Sequence, residues 1–232
     1  MADTVALPKR LYVLLAEVLT ILLLGWVLYG AGMTVGYLLQ RPTPYTPAPV
    51  PVDVPSLLAS RFEVEDNGRW LPVCTAEWDG RDAITTAKHC IDIDMDGNID
   101  AYEKQVRYRV VHGEASKVVR GGDFRVIGDD IVSTANPVYA DPKVGDTVVV
   151  ATHIFSKPLV YYATVVYVGT VEDIGWTEMV SWLKPSTRIV VLQMTSYGGC
   201  SGSPAYSPDG RRWVRVGVLS GGGMGMTILT QP

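Results

Sequence analysis

The sequence predicts an all-β, antiparallel domain from about residue 61 to the C-terminus, with one membrane-spanning helix before it. Short runs rich in Val, Ile, Tyr and Thr alternate here with Gly, Asp and Pro, which is the pattern of strands and turns. No segment of this region has helical periodicity over three turns. Many short strands without interleaved helices are typical of an antiparallel sandwich or a pair of barrels.

The candidate strands are separated from one another by turn residues. They are Val106–Val111, Phe124–Ile127, Thr147–Thr152, Leu159–Val168, Arg188–Met194 and Trp213–Leu219. Asp79-Gly80 predicts a hairpin between Trp70–Trp78 and Ala83–Thr86, because Asp-Gly accepts the positive backbone angles of a tight turn.

An apolar stretch near the N-terminus predicts the membrane helix. Val18–Leu39 is 22 residues long and carries no charge, and a helix of that length spans a hydrocarbon core of about 30 Å. We therefore expect residues 1–10 to be a cytoplasmic tail and residues 11–40 to be a transmembrane anchor. A cleaved signal peptide is the alternative, although its apolar region usually has about 7–15 residues.

The charges beside this stretch indicate its orientation. Lys9 and Arg10 precede it and Arg41 follows it, which favours a cytoplasmic N-terminus and a single-pass protein whose main domain is extracytoplasmic. Gly32 and Gly36 have the spacing that lets two membrane helices approach closely, which predicts weak self-association. The plainer explanation is that glycine is common in membrane helices.

Residues 41–60 predict a linker between the anchor and the domain at 61–232. Pro42–Pro55 contains six prolines in fourteen residues, which favours polyproline II and a semi-rigid spacer of roughly 40 Å. The formal net charge of the chain is -4. Because a basic footprint is missing, nucleic acid is not an expected partner.

Three short strings of the domain carry residues suited to nucleophilic catalysis. They are Thr85–Cys90 (TTAKHC), Asp129–Val132 (DDIV) and Gly199–Pro204 (GCSGSP). A serine hydroxyl needs an adjacent base, and a neutral imidazole held by a carboxylate supplies one. Glycines beside a serine let backbone N–H groups point at one oxygen, as an oxyanion site requires. Of the three histidines, His112 and His153 are interpreted as surface or packing residues, which leaves His89.

These strings resemble the signature motifs of the trypsin/chymotrypsin family of serine proteases, over about 170 residues. The resemblance implies a two-barrel fold with His89 as general base and Ser201 as nucleophile. Asp130 is the matching aspartate, in preference to Asp129 and Asp123, because an apolar pair follows it. The histidine-to-aspartate separation of 41 positions and the aspartate-to-serine separation of 71 fit the short bacterial or viral members.

The resemblance also implies an oxyanion hole formed by the backbone N–H groups of Gly199 and Ser201. Cys74 and Cys90 are 16 positions apart, the separation of the family's disulfide around its catalytic histidine. A disulfide there implies an oxidising compartment. Cys200 stands where the family has aspartate, so activation by N-terminal cleavage is not expected. Cys200 as the nucleophile is an alternative that the glycine frame around Ser201 disfavours.

The expected substrate-binding residues come from the same resemblance. Ser220-Gly221-Gly222 resembles the Ser-Trp-Gly strand that pairs with substrate backbone. Thr195 stands where trypsin-like members carry an aspartate that selects Lys or Arg. Ser196 and the glycines therefore suggest a small or neutral side chain before the scissile bond. A glutamate preference stays open, although Leu219 stands where a histidine would be expected.

Directly after Cys90, an acidic segment fits the twelve-residue EF-hand loop. Oxygen ligands at alternating positions, a central glycine and a terminal glutamate wrap one Ca²⁺. The expected ligands are Asp92, Asp94, Asp96, Asn98 through its backbone carbonyl, Asp100 and Glu103. A solvated acidic turn is the alternative. A strand follows this segment instead of a helix, so we expect Ca²⁺ to brace the loop after His89 and not to drive a sensor-like opening.

Together these observations predict a membrane-anchored serine endopeptidase with a protein or peptide substrate, an acyl-enzyme mechanism and a structural Ca²⁺. Two alternatives remain. One is a catalytically silent, calcium-stabilised binding module on a protease scaffold, since a fold alone does not imply a function. The other is a protease that processes only its own chain or a joined partner.

Overall fold

The computed structural model describes residues 59–154, 157–175, 180–209, 212–223 and 225–232. The predicted cytoplasmic tail, the transmembrane anchor and nearly all of the linker therefore lie outside the described residues. Within the described ranges, no helix is long and apolar enough to cross a membrane.

The described residues form thirteen strands, connected by loops and short 3-10 turns. The strands are β1 (Ala59–Asp66), β2 (Arg69–Trp78), β3 (Ile84–Ala87), β4 (Arg107–His112), β5 (Ala115–Arg120), β6 (Arg125–Gly128), β7 (Ile131–Ser133), β8 (Thr147–Ile154), β9 (Lys157–Thr170), β10 (Arg188–Gln193), β11 (Pro204–Asp209), β12 (Arg212–Gly223) and β13 (Met226–Thr230).

The strands divide into two antiparallel halves in chain order. The first is a seven-stranded sheet in the order β5-β4-β1-β2-β3-β7-β6, and the second is a closed barrel in the order β10-β13-β12-β11-β8-β9. The all-β, antiparallel prediction is confirmed. The second half is the barrel that was expected, whereas the first half is an open sheet because its edge strands β5 and β6 do not pair with each other.

Each half has its own apolar core. In the sheet, the rings of Phe62 and Tyr108 stack with centroids 5.0 Å apart, and Phe124 meets Phe62 edge-on at 6.1 Å. The barrel is filled instead by aliphatic side chains from alternate positions of its strands, among them Val148, Val150, Val190, Leu192 and Leu229. This alternation is what places one face of each strand inside.

The predicted hairpin is present between β2 and β3, where Glu77 pairs with Thr85 and Trp78 with Ile84. Asp79 stabilises the connection, because its Oδ1 accepts the N–H groups of Arg81 and Ala83 at 2.8 and 3.1 Å. The loop is thus longer than the tight turn that Asp-Gly suggests. After this loop, β3 ends at Ala87, two residues before His89.

A buried ion pair connects the sheet to the barrel. The carboxylate of Glu77 in β2 accepts hydrogen bonds from Tyr206 Oη of β11 at 2.7 Å and from Arg215 Nε of β12 at 2.6 Å. Glu77 is 6% exposed. Arg215 also lies over the ring of Tyr139, 5.5 Å from its centroid. Since Glu77 is buried and the Arg215 side chain is 18% exposed, both charges are largely removed from water and each depends on the other for stabilisation.

Replacing this carboxylate should destabilise the domain strongly. Glu77→Ala leaves Arg215 buried without its counter-charge, and we expect a loss of about 3–5 kcal/mol in the free energy of unfolding. The matched control is Glu65→Ala, which breaks an exposed pair with Arg107 and should cost about 1 kcal/mol or less. Urea unfolding followed by tryptophan fluorescence measures both. Equal small losses would contradict the role assigned to Glu77.

Candidate active site

His89 lies in a 3-10 turn, Lys88–Cys90, that directly follows β3. The turn is closed by the N–H groups of Ile91 and Asp92, which both donate to the carbonyl of Lys88 at 2.9 Å. The predicted disulfide between Cys90 and Cys74 is present and ties the turn to β2. The imidazole of His89 stays partly accessible, with 22% of the side chain exposed.

Asp130 is the carboxylate that meets this imidazole. It lies between β6 and β7, and β7 pairs with β3 so that Ile131 faces Ala87. Asp130 Oδ2 is 2.8 Å from His89 Nδ1, and Asp130 Oδ1 accepts the backbone N–H of His89 at 3.0 Å. Asp130 is 2% exposed. Both oxygen atoms of the Asp130 carboxylate therefore contact His89.

The two other candidate aspartates contact different segments. Asp129 accepts the N–H of Lys184 at 2.7 Å and also pairs with the Lys184 Nζ. Asp123 accepts the N–H of Arg120 at 2.8 Å. The geometry thus distinguishes Asp130 from its neighbour Asp129, as the motif suggested.

The loop that carries Ser201 packs against β2 and β3. The N–H of Thr75 donates to the Ser201 carbonyl at 2.8 Å. Gly202 has a φ of +83°, and a Cβ there would lie 2.0 Å from the Thr75 carbonyl oxygen and 2.2 Å from Thr86 Oγ1. Only glycine fits at this point, so the glycine after Ser201 lets the loop approach the strand that leads to His89.

The backbone N–H groups around Ser201 differ in whether the described residues supply an acceptor. Cys200, Gly202 and Ser203 donate their N–H groups to Tyr197, Leu219 and Cys200. Within the described residues, the N–H groups of Gly199 and Ser201 donate to no protein acceptor. The same ranges contain no hydrogen bond between Ser201 Oγ and His89. The structure thus brings His89 and Asp130 into contact, and it brings the Ser201 loop to the adjoining strands.

The predicted substrate-binding strand lies beside these residues, at the end of β12. Ser220 donates its hydroxyl to Asp130 Oδ2 and is 3% exposed. A Cβ on Gly222 would lie 2.4 Å from Ser196 Oγ, so these two residues are in contact, whereas Thr195 is exposed. The Ser220–Asp130 hydrogen bond was not foreseen, because the two residues are 90 positions apart and no local pattern links them.

The two other histidines and Cys200 differ in burial, because His112 is partly buried whereas His153 and Cys200 are buried. His112 Nδ1 lies 3.1 Å from the carbonyl of Ala59. His153 is 9% exposed, and its burial, with the nearby charges of His112 and Arg61, lowers its pKa to about 4. Cys200 is a free thiol, 1% exposed, in the core of the barrel. Ser201 is more accessible than its neighbour Cys200.

The acidic segment after His89 folds into a loop closed by its last residue, Glu103. Glu103 is 2% exposed. Its two carboxylate oxygens accept the N–H groups of Ile93 and Asp100, the latter at 2.9 Å. Asp100 Oδ1 in turn accepts the N–H of Glu103 at 2.8 Å. A 3-10 turn and then β4 follow, so this loop leads into a strand as expected.

Three carboxylates converge inside this loop. Oxygen atoms of Asp92, Asp94 and Asp96 lie within 4.8 Å of one another. Asp92 is 2% exposed, and its Oδ2 accepts the N–H of Gly97 at 3.0 Å. Its Oδ1 is buried without a partner among the described residues, and burial raises the pKa of this carboxyl. An orphaned carboxylate oxygen beside two others fits a hard divalent cation.

Comparisons with known proteins define the fold. No protein-family model and no curated protein matches the chain. Among solved structures, the tobacco vein mottling virus protease superposes with a TM-score of 0.51 at 14% identity, covering 81% of this chain and 84% of that chain. The inactive form of the Rv3671c protease gives 0.51 at 14% identity, covering 76% and 84%. The chain therefore has the chymotrypsin-like fold.

The buried His153 should make the domain sensitive to acid. Its pKa is about 4 in the folded chain against 6.5 for the free group, so the native state binds fewer protons than the unfolded state between these values. Its contribution to stability is full above pH 6.5 and is lost as the pH falls towards 4. We expect a loss of roughly 2–3 kcal/mol from this residue.

The measurement is urea unfolding at pH 7, 5.5 and 4.5. His153→Asn should reduce the decline in stability on acidification, because the group that gains a proton on unfolding is then absent. If wild type and His153→Asn declined in parallel, the assignment of His153 as a buried neutral histidine would be wrong.

Proposed function

We propose that this chain is a serine endopeptidase that hydrolyses peptide bonds through an acyl-enzyme intermediate. The observation that carries the proposal is the 2.8 Å contact between His89 Nδ1 and the buried Asp130 carboxylate, beside a glycine-framed serine. Because Asp130 accepts at Nδ1, that nitrogen holds the proton and Nε2 is left as the base. The chymotrypsin-like fold is compatible with this activity but does not by itself imply it.

In the proposed reaction, His89 Nε2 takes the proton of the Ser201 hydroxyl as Oγ attacks the substrate carbonyl carbon. The free N–H groups of Gly199 and Ser201 donate to the resulting oxyanion. His89 then gives the proton to the leaving amine as the C–N bond breaks. His89 Nε2 then takes a proton from a water molecule as the water oxygen attacks the acyl carbon. The imidazolium returns that proton to Ser201 Oγ as the ester bond breaks and the acid product leaves.

The proposed specificity is for a small or neutral side chain before the scissile bond. The substrate backbone would pair with Ser220-Gly221-Gly222. Ser196 Oγ closes on Gly222, where an added Cβ would lie only 2.4 Å away, which leaves little depth for a long side chain. Thr195 supplies no charge to select Lys or Arg.

Labelling with a fluorophosphonate tests the nucleophile, because the probe reacts with an activated serine. We expect a single label on Ser201 of the full-length chain, and none in Ser201→Ala or His89→Ala. Asp130→Asn should slow labelling by about 10³–10⁴-fold, since the imidazole loses the group that fixes its tautomer.

Asp123→Asn is the matched control. This exposed carboxylate accepts the N–H of Arg120 and does not contact His89, so labelling should stay within about threefold of wild type, as expected for a change outside the triad. A folded chain that takes no label would sink the hydrolase proposal and favour the silent binding module.

We also propose a structural Ca²⁺ in the acidic loop. The donors would be the carboxylates of Asp92, Asp94, Asp96, Asp100 and Glu103, together with the Asn98 carbonyl. The ion would neutralise this cluster, and its effect would reach His89 through Lys88. The Lys88 carbonyl accepts the N–H of Asp92 at 2.9 Å, and the Lys88 Nζ donates to the Gly97 carbonyl at 3.0 Å.

Calorimetric titration of the full-length chain with Ca²⁺ tests this site, with thermal melting in calcium and in chelator. One bound ion is expected, and Ca²⁺ at about 100 times its Kd should stabilise the folded chain by about 2.7 kcal/mol. Asp94→Asn, at an exposed position of the loop, should weaken binding, whereas the exposed Asp141→Asn should not. An unchanged melting temperature with no binding heat would support the solvated acidic turn.

The proposed setting is the extracytoplasmic face of a membrane. The charge asymmetry around Val18–Leu39 favours this orientation, and the Cys74–Cys90 disulfide is typical of an oxidising compartment. The proline-rich linker would hold the protease domain away from the bilayer, so that its substrates would be proteins or peptides near the membrane surface.

A further inference from the structure

We propose that Trp182 is a positioning residue of the candidate triad, whose indole N–H orients the Ser220 hydroxyl towards Asp130. This inference rests on the proposed function. The sequence motifs do not include Trp182, which lies 38 positions before Ser220 in the loop between β9 and β10.

A continuous chain of hydrogen bonds connects the indole to the histidine. Trp182 Nε1 donates to Ser220 Oγ at 3.1 Å. Ser220 Oγ donates to Asp130 Oδ2. Asp130 Oδ2 also lies 2.8 Å from His89 Nδ1. Ser220 and Asp130 are 3% and 2% exposed, whereas Trp182 is 48% exposed. The hydrogen bonds thus run from a surface ring to a buried carboxylate.

The number of donors and acceptors on each group fixes the direction of these hydrogen bonds. An indole N–H can only donate, and a hydroxyl has a single proton with two acceptor lone pairs. While Ser220 Oγ accepts from Trp182, its one proton is directed to Asp130. Without the indole, the hydroxyl gains an open acceptor site and rotates more freely. Trp182 thus orders the donor that shares Asp130 with His89.

The segment that carries Trp182 is held on both sides. Val180 and Leu183 are 1% and 5% exposed and pack in an apolar cluster of the barrel. The next residue, Lys184, is tied to Asp129 through its backbone N–H at 2.7 Å and through Nζ. Two adjacent aspartates therefore hold the Trp182 segment. Asp129 contacts Lys184 directly, and Asp130 is connected to Trp182 through Ser220.

Glycine at position 221 leaves the space that the indole needs. A Cβ on Gly221 would lie 2.8 Å from Trp182 Cζ2. The strand Ser220-Gly221-Gly222 has glycine where the similar Ser-Trp-Gly motif has tryptophan. In this chain the aromatic ring beside the strand comes from Trp182, on another segment, and that position lets its N–H reach Ser220.

A double-mutant cycle on the full-length chain separates positioning from packing. The readout is the second-order rate constant for fluorophosphonate labelling. Trp182→Phe, which keeps an aromatic ring and removes the donor, should lower this constant about three- to tenfold, the effect of one neutral hydrogen bond. In the Ser220→Ala background, Trp182→Phe should have no further effect. Trp70→Phe, a surface tryptophan stacked on Arg109, is the control and should label like wild type.

Equal losses from Trp182→Phe in both backgrounds would mean that the indole acts by packing alone, and would overturn the inference. An unchanged rate in the Ser220-containing chain would overturn it as well. If the wild-type chain took no label, the proposed protease function would fail instead. An independent readout then decides the inference: the NMR signal of the Trp182 indole N–H should shift in Ser220→Ala, and an unmoved signal would contradict the hydrogen bond.

Discussion

The buried carboxylate of Asp130 is the contact on which the arrangement of the candidate site depends. It accepts the backbone N–H of His89 and lies 2.8 Å from the Nδ1 of this residue, in the turn after β3 of the sheet, and it accepts the hydroxyl of Ser220 from the barrel. A buried carboxylate is costly unless donors surround it. The two halves must therefore meet at Asp130 in one arrangement, and that arrangement holds the imidazole in a fixed orientation.

A steric constraint places the loop of Ser201 against β2 and β3, next to the turn that carries His89. Gly202 packs where a Cβ would collide with the Thr75 carbonyl oxygen at 2.0 Å, so the Ser201 loop lies directly on β2. The disulfide from Cys74 then connects β2 to the turn that holds His89. The acidic loop begins at Asp92, three residues beyond His89, which would give a bound cation a short covalent route to the site without contact with the substrate.

The sequence predicted the parts of this structure that have local signals. Val- and Ile-rich runs predicted most of the long strands, and the resemblance of TTAKHC and DDIV to family motifs predicted the pairing of His89 with Asp130. Strands β1, β5, β7, β11 and β13 were not predicted. Strand β7 has only three residues and thus no periodicity, and the sequence of β11, PAYSPD, resembles a turn. The Trp182–Ser220 and Glu77–Arg215 contacts join segments 38 and 138 positions apart, and only the tertiary fold brings them together.

Cleavage of an unbiased peptide library tests the central claim most directly. The full-length chain, folded and supplied with Ca²⁺, should generate new peptide termini that mass spectrometry detects, with small or neutral residues before the cleaved bond. Ser201→Ala, which keeps the fold and removes only the nucleophile, should generate none. Intact peptides after incubation with the folded wild-type chain, or equal cleavage by Ser201→Ala, would contradict the account.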